Sequence, residues 1–301
     1  MTRQATISQS ITRRMERLFA GKVYKALQSQ IKGFTANVRA VGMDYAVSKL
    51  QTTLLNEDIG PVIQQLYRIG AITNANNVYR TLKKAEPQLK FVGFGFNDVW
   101  TQDVNRYFQL HLLEKAVVPI SETTKKQILA AIQKGTTEGW SVDQILKELE
   151  TSDITRNRAR MIVRTESVRA TNFGGMLGAY ESKYVMEKVW VSAHDVRVRG
   201  TRPEDEFSHR SLDKLQVDLL EAFHDTRNGE PIMFPGDPNA SAGNTINCRC
   251  TLGFVPKKDK DGRLIRKPAP AVEGVRISIV DILGAAMFGI NLFQQFELND
   301  N

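Results

Sequence analysis

The chain has 301 residues, of which 42% are hydrophobic and 25% are charged. This length is enough for a substantial core and suggests about two domains, and the composition is that of an ordinary soluble protein. The N-terminal stretch is polar and basic, without the apolar segment of a secretory signal. Two cysteines exclude a disulfide framework, so we expect synthesis in a reducing compartment.

The net charge of +8 is distributed unevenly along the chain. Residues 1–50 carry nine Lys and Arg but only Glu16 and Asp44 as acidic residues. Such a segment attracts a polyanion, and its binding weakens as salt is added. A solvated helix face without a ligand is the alternative interpretation. The candidates for contact with nucleic acid are Arg13, Arg14, Arg17, Lys22 and Lys25.

Apolar residues recur at spacings of three to five through the first half of the chain, which predicts amphipathic helices over residues 1–150. Pro61 lies where a helix would begin, and Pro87 closes that helix.

Pro119 is predicted to break the next helical group, with Ser121 as the N-cap where the helix restarts. Ser141 and Gln144 have the spacing of a capping box at the start of another short helix.

The sequence changes character after residue 151. An arginine-rich helix is predicted first, then a strand in "KVWVSAHDVRVR", then loops and short strands rich in Gly, Pro, Asp and Asn. We therefore predict an α+β fold, with a helical domain over residues 1–150 and a small α+β domain with long loops over residues 151–256.

Residues 257–301 are predicted to form an exposed linker followed by an apolar C-terminal helix. The apolar tail is short and is interrupted by Asp281 and Asn291, so we expect no stable membrane span. Docking on another protein surface or on this chain is the expected role of the tail.

The arginine-rich helix places Arg156, Arg160 and Arg164 on one face, at i, i+4 and i+8. Glu166 and Arg169 lie further round the helix. Guanidinium groups in a row repel one another unless acceptors face them. They either clamp the loops that follow, or bind phosphate or nucleic acid. The acceptors considered in the loops are backbone carbonyls and the carboxylates of Asp195, Asp213 and Asp237.

Both cysteines, Cys248 and Cys250, lie in one three-residue window, where a disulfide between them would be strained. Two interpretations stay open. The thiols are buried, alone or hydrogen-bonded to histidine, or they are two ligands of a zinc site that His209 completes as a third ligand. His194 lies in the same loop-rich segment. A Cys–His nucleophile is a weaker alternative, because no nucleophile elbow, P-loop or dinucleotide fingerprint accompanies it. We therefore do not expect an enzyme.

The segments "RARMIVRTESVRATN", "KVWVSAHDVRVR", "SHRSLD", "FPGDP" and "INCRCTLGF" follow one another within residues 155–256. This order resembles the phage Mu protein F-like family, also described as the head morphogenesis or minor capsid family of tailed phages, with "NCRC" as the most telling piece. The helical lead-in "VPISETTKKQILAAIQKGTTEGWSVDQILKELE" is also similar to that of the family.

The resemblance implies a minor structural protein of the phage head that associates with the portal and acts in head morphogenesis, DNA packaging or ejection. The implied partners are the portal protein, the major capsid protein and packaged double-stranded DNA. The implied location is inside the capsid of a virion assembled in the host cytoplasm. No cofactor is expected apart from the possible zinc.

The family has also been linked to the ADP-ribosyltransferase fold, which leaves an enzyme domain carried in the virion as the alternative. Arg164 and Glu166 lie two residues apart on one helix, not on separate strands as an NAD-binding triad would need.

Carried over residue by residue, the motif positions of the family fall on Arg164, Thr165, Glu166, Trp190, Asp195, Arg199, His209, Asn247, Cys248, Arg249 and Cys250. We expect these side chains, with Arg160, to meet in a shared polar nucleus. The chain departs from the family pattern twice: the loop "GTRPEDEF" is longer than expected, and Lys214 stands where the family usually has glycine.

Overall fold

Long helices form the N-terminal half of the protein in a computed structural model that describes residues 3–50, 58–90, 96–151, 154–268 and 278–287. The helices there are α1 (Arg3–Val41), α2 (Met43–Ser48), α3 (Gly60–Ala85), α4 (Phe96–Tyr107), a π-helical segment (Phe108–Val117), α5 (Val118–Thr137), α6 (Val142–Thr151) and α7 (Ile154–Tyr180).

Short strands and loops follow α7. The elements are β1 (Met186–Val191), β2 (Gln216–Asp218), β3 (Phe223–His224), β4 (Pro231–Ile232), α8 (Ala242–Thr245), β5 (Thr251–Pro256) and α9 (Ile279–Met287). The predicted α+β class is confirmed.

The sheet is antiparallel, with the order β2-β1-β5 and with Trp190 opposite Leu252. β3 and β4 form a separate pair. The strand predicted from "KVWVSAHDVRVR" ends at Val191. After Val191 the Ser192 N–H donates to the Asp213 side chain at 2.8 Å, and further on the Arg197 N–H donates to the Asp195 side chain at 2.8 Å, so carboxylates take the place of strand partners.

Helices α1, α3 and α7 pack against one another and against β5 in one buried core. Small residues permit the closest approach, between α3 and α7. A Cβ atom at Gly174 would lie 2.1 Å from the carbonyl oxygen of Ala71, and one at Gly178 would lie 2.5 Å from that of Ala75. Only glycine fits at these two positions.

The outer edge of β5 is covered by side chains of two helices. The N–H of Leu252 donates to Asn172 Oδ1 at 3.0 Å, and the N–H of Phe254 donates to Gln4 Oε1 at 2.6 Å. Unpaired N–H groups on an edge strand invite pairing with another chain. Here α7 and α1 satisfy them.

Pro119 lies inside a continuous run of helix, so the predicted break and the N-cap at Ser121 are wrong. The π-helical segment leads directly into α5, and the N–H of Val118 bonds to the carbonyl of Leu113, five residues earlier. This wider turn accommodates Pro119. In a regular α-helix its ring would clash with the preceding turn and its missing N–H would leave a hydrogen bond unmade. Ser121 is buried and accepts a hydrogen bond from Gln30 Nε2 at 3.3 Å.

Two other helix boundaries agree with the prediction. The Ser141 N–H donates to Gln144 Oε1 at 2.7 Å, and the Gln144 N–H donates to Ser141 Oγ at 3.3 Å, which is a complete capping box. Helix α3 ends at Ala85, shortly before Pro87.

The described part of the C-terminal tail packs on this chain. Ile279, Val280 and Leu283 of α9 are buried, α9 contacts α4 and α7, and Arg106 forms an ion pair with Asp281. Residues 288–301 lie outside the described residues. Within the part of the chain that the structure describes, no helix has the length and apolar character needed to cross a membrane.

Candidate functional site

The two cysteines enter the core side by side at the start of β5. Side chains alternate between opposite faces of an extended chain, so Cys248 and Cys250 point the same way while Arg249 points the opposite way. Both thiols are buried, and the Cys250 N–H lies 3.4 Å from Cys248 Sγ. The Arg249 guanidinium instead forms a two-pronged contact with the Asp195 carboxylate, at 2.5 and 2.9 Å.

His209 completes this group from the loop before β2. Its Nδ1 lies 3.5 Å from Cys248 Sγ and 3.7 Å from Cys250 Sγ, and the residue is 1% exposed. The Trp190 ring packs edge-on against the imidazole, with centroids 5.0 Å apart. We call His209, Cys248 and Cys250 the His/Cys cluster.

Hydrogen bonds orient the imidazole ring of His209. Asn244 Nδ2 donates to the carboxylate of Glu230, which has only acceptor oxygens. Asn244 Oδ1 therefore faces His209 Nε2, 3.0 Å away, and accepts a hydrogen bond from its N–H. The other nitrogen, Nδ1, faces the two sulfurs.

The thiols have opposite pKa shifts because they share a hydrogen bond. The contact with the Cys250 thiol lowers the pKa of Cys248 well below its ordinary value, and nearby His209 lowers it further against the effect of burial. The contact with Cys248 raises the pKa of Cys250, in the same direction as burial. Cys248 is thus the sulfur that more readily carries negative charge.

Helix α7 meets the His/Cys segment at Asn247. Arg164 Nη1 donates to Asn247 Oδ1 at 2.9 Å, and the Asn247 N–H donates to Thr165 Oγ1 at 2.9 Å. Arg199 donates to the carbonyl of Ile246, immediately before Asn247. Two of the motif positions on α7, Arg164 and Thr165, therefore contact the cysteine segment directly, whereas the Glu166 carboxylate is bonded to Tyr67 and Arg169.

The rest of the predicted arginine face does not reach the loops. Arg156 lies over the ring of Tyr24, 5.6 Å from its centroid, and Arg160 is exposed without a hydrogen bond or ion pair to any described residue. Arg164 also approaches Glu16 at 3.5 Å. Only Arg164 of the three acts as a clamp on the loops.

The carboxylates considered as partners of that face have other partners. Asp195 binds Arg249, and Asp213 accepts the Ser192 N–H at 2.8 Å. Asp237 accepts the N–H groups of Met233 and Asn239, each at 2.9 Å, and burial raises its pKa.

A buried network on the other side of α7 was missed by the sequence reasoning. Glu166 and Arg169 form an ion pair at 3.1 Å with both side chains 6% exposed, and Tyr67 Oη donates to Glu166 at 2.7 Å. Burial, followed by the Glu166 carboxylate, raises the pKa of Tyr67. Arg169 Nε donates to the carbonyl of Gly236 at 2.6 Å, and the backbone there has φ 87°, which favours glycine.

Asn172 extends the network by one more turn of α7. Its Nδ2 donates to the carbonyls of Pro235 and Cys250 at 3.1 and 3.3 Å. The "FPGDP" loop and β5 are thus both held by polar side chains of one helix. A signal for this was available in the sequence: a charged i, i+3 pair lies on the same helix face as Ala170 and Phe173.

Lys188 is a second buried charge beside this loop. Its Nζ donates to the carbonyl of Met233 at 2.7 Å and lies 5.2 Å from the centre of the Phe223 ring. Burial lowers the pKa of Lys188 to about 7, although Asp237 and Glu221 oppose the shift.

The five basic residues proposed for nucleic acid lie apart from this site, on α1. All are exposed: Arg13, Arg14, Arg17, Lys22 and Lys25. Lys22 donates to Gln65 at 2.8 Å. The remaining four make no hydrogen bond or ion pair with any residue that the structure describes.

Residues 126–253 match the sequence model of the family described as phage Mu protein F like protein, which confirms the resemblance. This span contains the whole of the His/Cys cluster and the α7 network from Glu166 to Asn172. That region of the chain is therefore similar to the phage Mu F-like family.

The chain is also 27% identical over 134 residues to the uncharacterized protein YqbB of Bacillus subtilis (strain 168). The alignment covers 44% of this chain and 41% of YqbB, so the chain spans about two fifths of the length of that relative. No solved structure matches the chain.

Proposed function

We propose that this chain is a minor structural protein of a tailed-phage head, associated with the portal and acting in head morphogenesis. The observation that carries the proposal is the family match over residues 126–253, which supports a phage head morphogenesis protein. The portal and the major capsid protein are the proposed partners, and the interior of the virion is the proposed location.

The role proposed for the α+β region is mechanical. Helix α7 holds the "FPGDP" loop through Arg169 and Asn172, and it holds the cysteine segment through Arg164. Buried polar side chains that hydrogen-bond across elements, as these do, hold the elements in one arrangement. Such a region suits a part that must keep its shape while other head proteins assemble on it.

We propose that this role involves no catalysed reaction. In the ADP-ribosyltransferase alternative Glu166 would have to reach a substrate, but its carboxylate is buried and bonded to Tyr67 and Arg169. NAD turnover by the purified protein that is lost in Glu166→Ala would contradict the proposal.

The direct test is co-assembly. Tagged full-length chain is expressed with the portal and major capsid proteins of the same phage, and the particles are purified and analysed by mass spectrometry. We expect a few copies per particle, present only when the portal is included. Equal amounts in particles without portal would refute portal association, and absence from all particles would refute the proposal as a whole.

Contact with packaged DNA is proposed for the solvent side of α1. Five basic residues follow one another there at spacings of 11 or 7 residues, which are close to whole turns of a helix. They therefore lie nearly in line over about 54 Å, at a rise of about 1.5 Å per residue. Helix α1 contains one acidic residue, Glu16. The line consists of Arg3, Arg14, Lys25, Lys32 and Arg39. Arg14 and Lys25 are among the candidates from the sequence, and Arg39 also forms an ion pair with Glu150 at 3.0 Å.

Salt-dependent binding tests this contact. Neutralising Arg14, Lys25 and Lys32 together with Gln should weaken binding to random-sequence duplex DNA and lower the slope of log K against log salt by about 2 to 3. The matched control replaces three exposed basic residues of the C-terminal half, Lys183, Arg210 and Lys260, with Gln. Equal losses in the two triple variants would refute a contact localised to α1.

A further inference from the structure

The His/Cys cluster brings three metal-ligating atoms to one point in the protein interior. His209 Nδ1, Cys248 Sγ and Cys250 Sγ all lie within 4.8 Å of one another, and all three residues are buried. We propose that these three atoms bind a Zn²⁺ ion, and that the fourth ligand is a water molecule.

The separations match tetrahedral zinc. Bonds of about 2.3 Å to sulfur and about 2.0–2.1 Å to nitrogen, at a tetrahedral angle, place sulfur and nitrogen about 3.6 Å apart. The distances from His209 Nδ1 to the sulfurs are 3.5 Å for Cys248 and 3.7 Å for Cys250. Both nitrogen–sulfur distances therefore lie within about 0.1 Å of the tetrahedral value, and the two sulfurs lie within 4.8 Å of each other.

The partner of the imidazole orients it as in a metal site. Zinc-bound histidine almost always donates its second N–H to an acceptor, which fixes the tautomer and the ring plane. Asn244 Oδ1 is that acceptor here, and Glu230 fixes the orientation of the Asn244 amide. His209 Nδ1 is thereby directed at the sulfurs and is the nitrogen that faces the metal position.

The chemistry of the donor set favours zinc over harder cations. Two thiolates and one imidazole suit soft or borderline metals, whereas Mg²⁺ and Ca²⁺ prefer oxygen ligands. Two thiolates also neutralise the ion, so that the buried unit carries no net charge, and a neutral unit costs far less to bury.

A small cavity lies beside the three ligand atoms and offers space for a fourth ligand. It is also lined by Ala193, Val198, Asn247 and the three arginines Arg197, Arg199 and Arg249. Among the described residues, no further His, Cys, Asp or Glu joins the three in a metal-ligating group. A water molecule in this cavity completes the tetrahedron. The ion would tie the loop that carries His209 to the entry of β5.

Metal analysis of the purified full-length protein tests the proposal. The protein is dialysed against a chromophoric chelator, and its zinc is measured by inductively coupled plasma mass spectrometry. We expect one equivalent retained in the wild type and less than a tenth of an equivalent in Cys248→Ser. The matched control is His224→Gln, at an exposed histidine of the same region, which should retain one equivalent.

Two further measurements cover the case in which Cys248→Ser does not fold. Substitution of Co²⁺ for zinc in the wild type should give the intense thiolate-to-cobalt absorption of a tetrahedral site with two sulfur ligands. The second is Asn244→Ala, which keeps all three ligands but loses the acceptor for Nε2, and should bind zinc 10- to 100-fold more weakly.

Three results would overturn the proposal. They are wild-type protein that is folded but holds no zinc against the chelator, a cobalt spectrum without thiolate bands, and zinc content unchanged in a folded Cys248→Ser variant. Any of them would leave the cluster as hydrogen-bonded thiols.

Discussion

Replacing Arg169 with Met tests the buried network of α7 most directly. The substitution keeps much of the aliphatic volume but removes the partner of Glu166 and the donor to the Gly236 carbonyl. Removing one partner of a buried ion pair costs about 3–5 kcal/mol, because the remaining charge is left unpaired in a medium of low polarity. We expect a loss of about 4 kcal/mol in the free energy of unfolding.

Urea denaturation followed by tryptophan fluorescence measures this loss. The transition midpoint of Arg169→Met should fall, with the slope of the transition nearly unchanged. Arg160→Met is the matched control, since it removes an exposed arginine of the same helix and should change the stability by less than about 0.5 kcal/mol.

The double variant Glu166→Gln/Arg169→Met separates pairing from packing. Neutral Gln still accepts a hydrogen bond from the Tyr67 hydroxyl but leaves no unpaired charge. The double variant should therefore lose less free energy of unfolding than the two single variants lose in sum, by about 1–3 kcal/mol. A cost below about 1 kcal/mol for Arg169→Met, or strict additivity in the double variant, would refute this reasoning.

The remaining predictions concern close packing, pH and backbone strain. Gly174→Ala should destabilise the protein by about 3 kcal/mol, because its Cβ would overlap the Ala71 carbonyl. A Cβ at Gly21 would meet nothing within 4 Å, so Gly21→Ala should stabilise the protein by about 1 kcal/mol through helix propensity. Thermal unfolding compares the two variants. The pKa of Lys188 is about 7 in the folded protein and about 10.4 in the unfolded chain, so the unfolded state binds more protons between these values. Lys188 therefore contributes a rise in stability with pH from 7 to 10. Lys188→Met should remove this contribution and stabilise the protein most below pH 7, as read from urea midpoints over a pH series, while the contribution of Lys267, whose pKa burial lowers to about 8, remains. Lys214 has φ 67°, so Lys214→Gly should stabilise the protein by about 1 kcal/mol and Lys214→Ala should not, as measured by urea denaturation.

Specific outcomes would contradict each of these. They are equal melting temperatures for the two glycine variants, parallel pH profiles for the wild type and Lys188→Met, and equal stabilities for Lys214→Gly and Lys214→Ala.

The sequence predicted best what depends on neighbouring residues. The capping box of Ser141 and Gln144 needs only a spacing of three residues, and it formed as expected. The helix restart at Ser121 was wrong because a π-helical turn absorbs Pro119, and that turn is stabilised by packing around Phe108 and Leu112 in the core.

In the site, too, the features with a local sequence signal were predicted and those that depend on the tertiary fold were missed. The short window that holds Cys248 and Cys250 indicated a shared role, and the family pattern added His209. Asn244 and Glu230, which orient the histidine, were missed because their importance comes from distances across the fold and not from any local spacing.

The α7 network was missed for a related reason. Three arginines in a row suggested the functional face, but the buried partner of Glu166 is Arg169, on another side of the helix. Sequence spacing tells which residues share a face, but only tertiary packing decides which face is covered.

The bond between Gln4 and Phe254 joins residues 250 positions apart in the chain. During translation at about 5–20 residues per second, roughly 12 to 50 seconds separate the emergence of these two residues from the ribosome. Helices α3 and α7 emerge earlier and cover most of the apolar side of α1, so only the end of α1 near Gln4 lacks its partner strand throughout that time. Nascent chains on neighbouring ribosomes would meet through that end of the helix, so we expect the yield of folded protein to improve with slower initiation or with added chaperone.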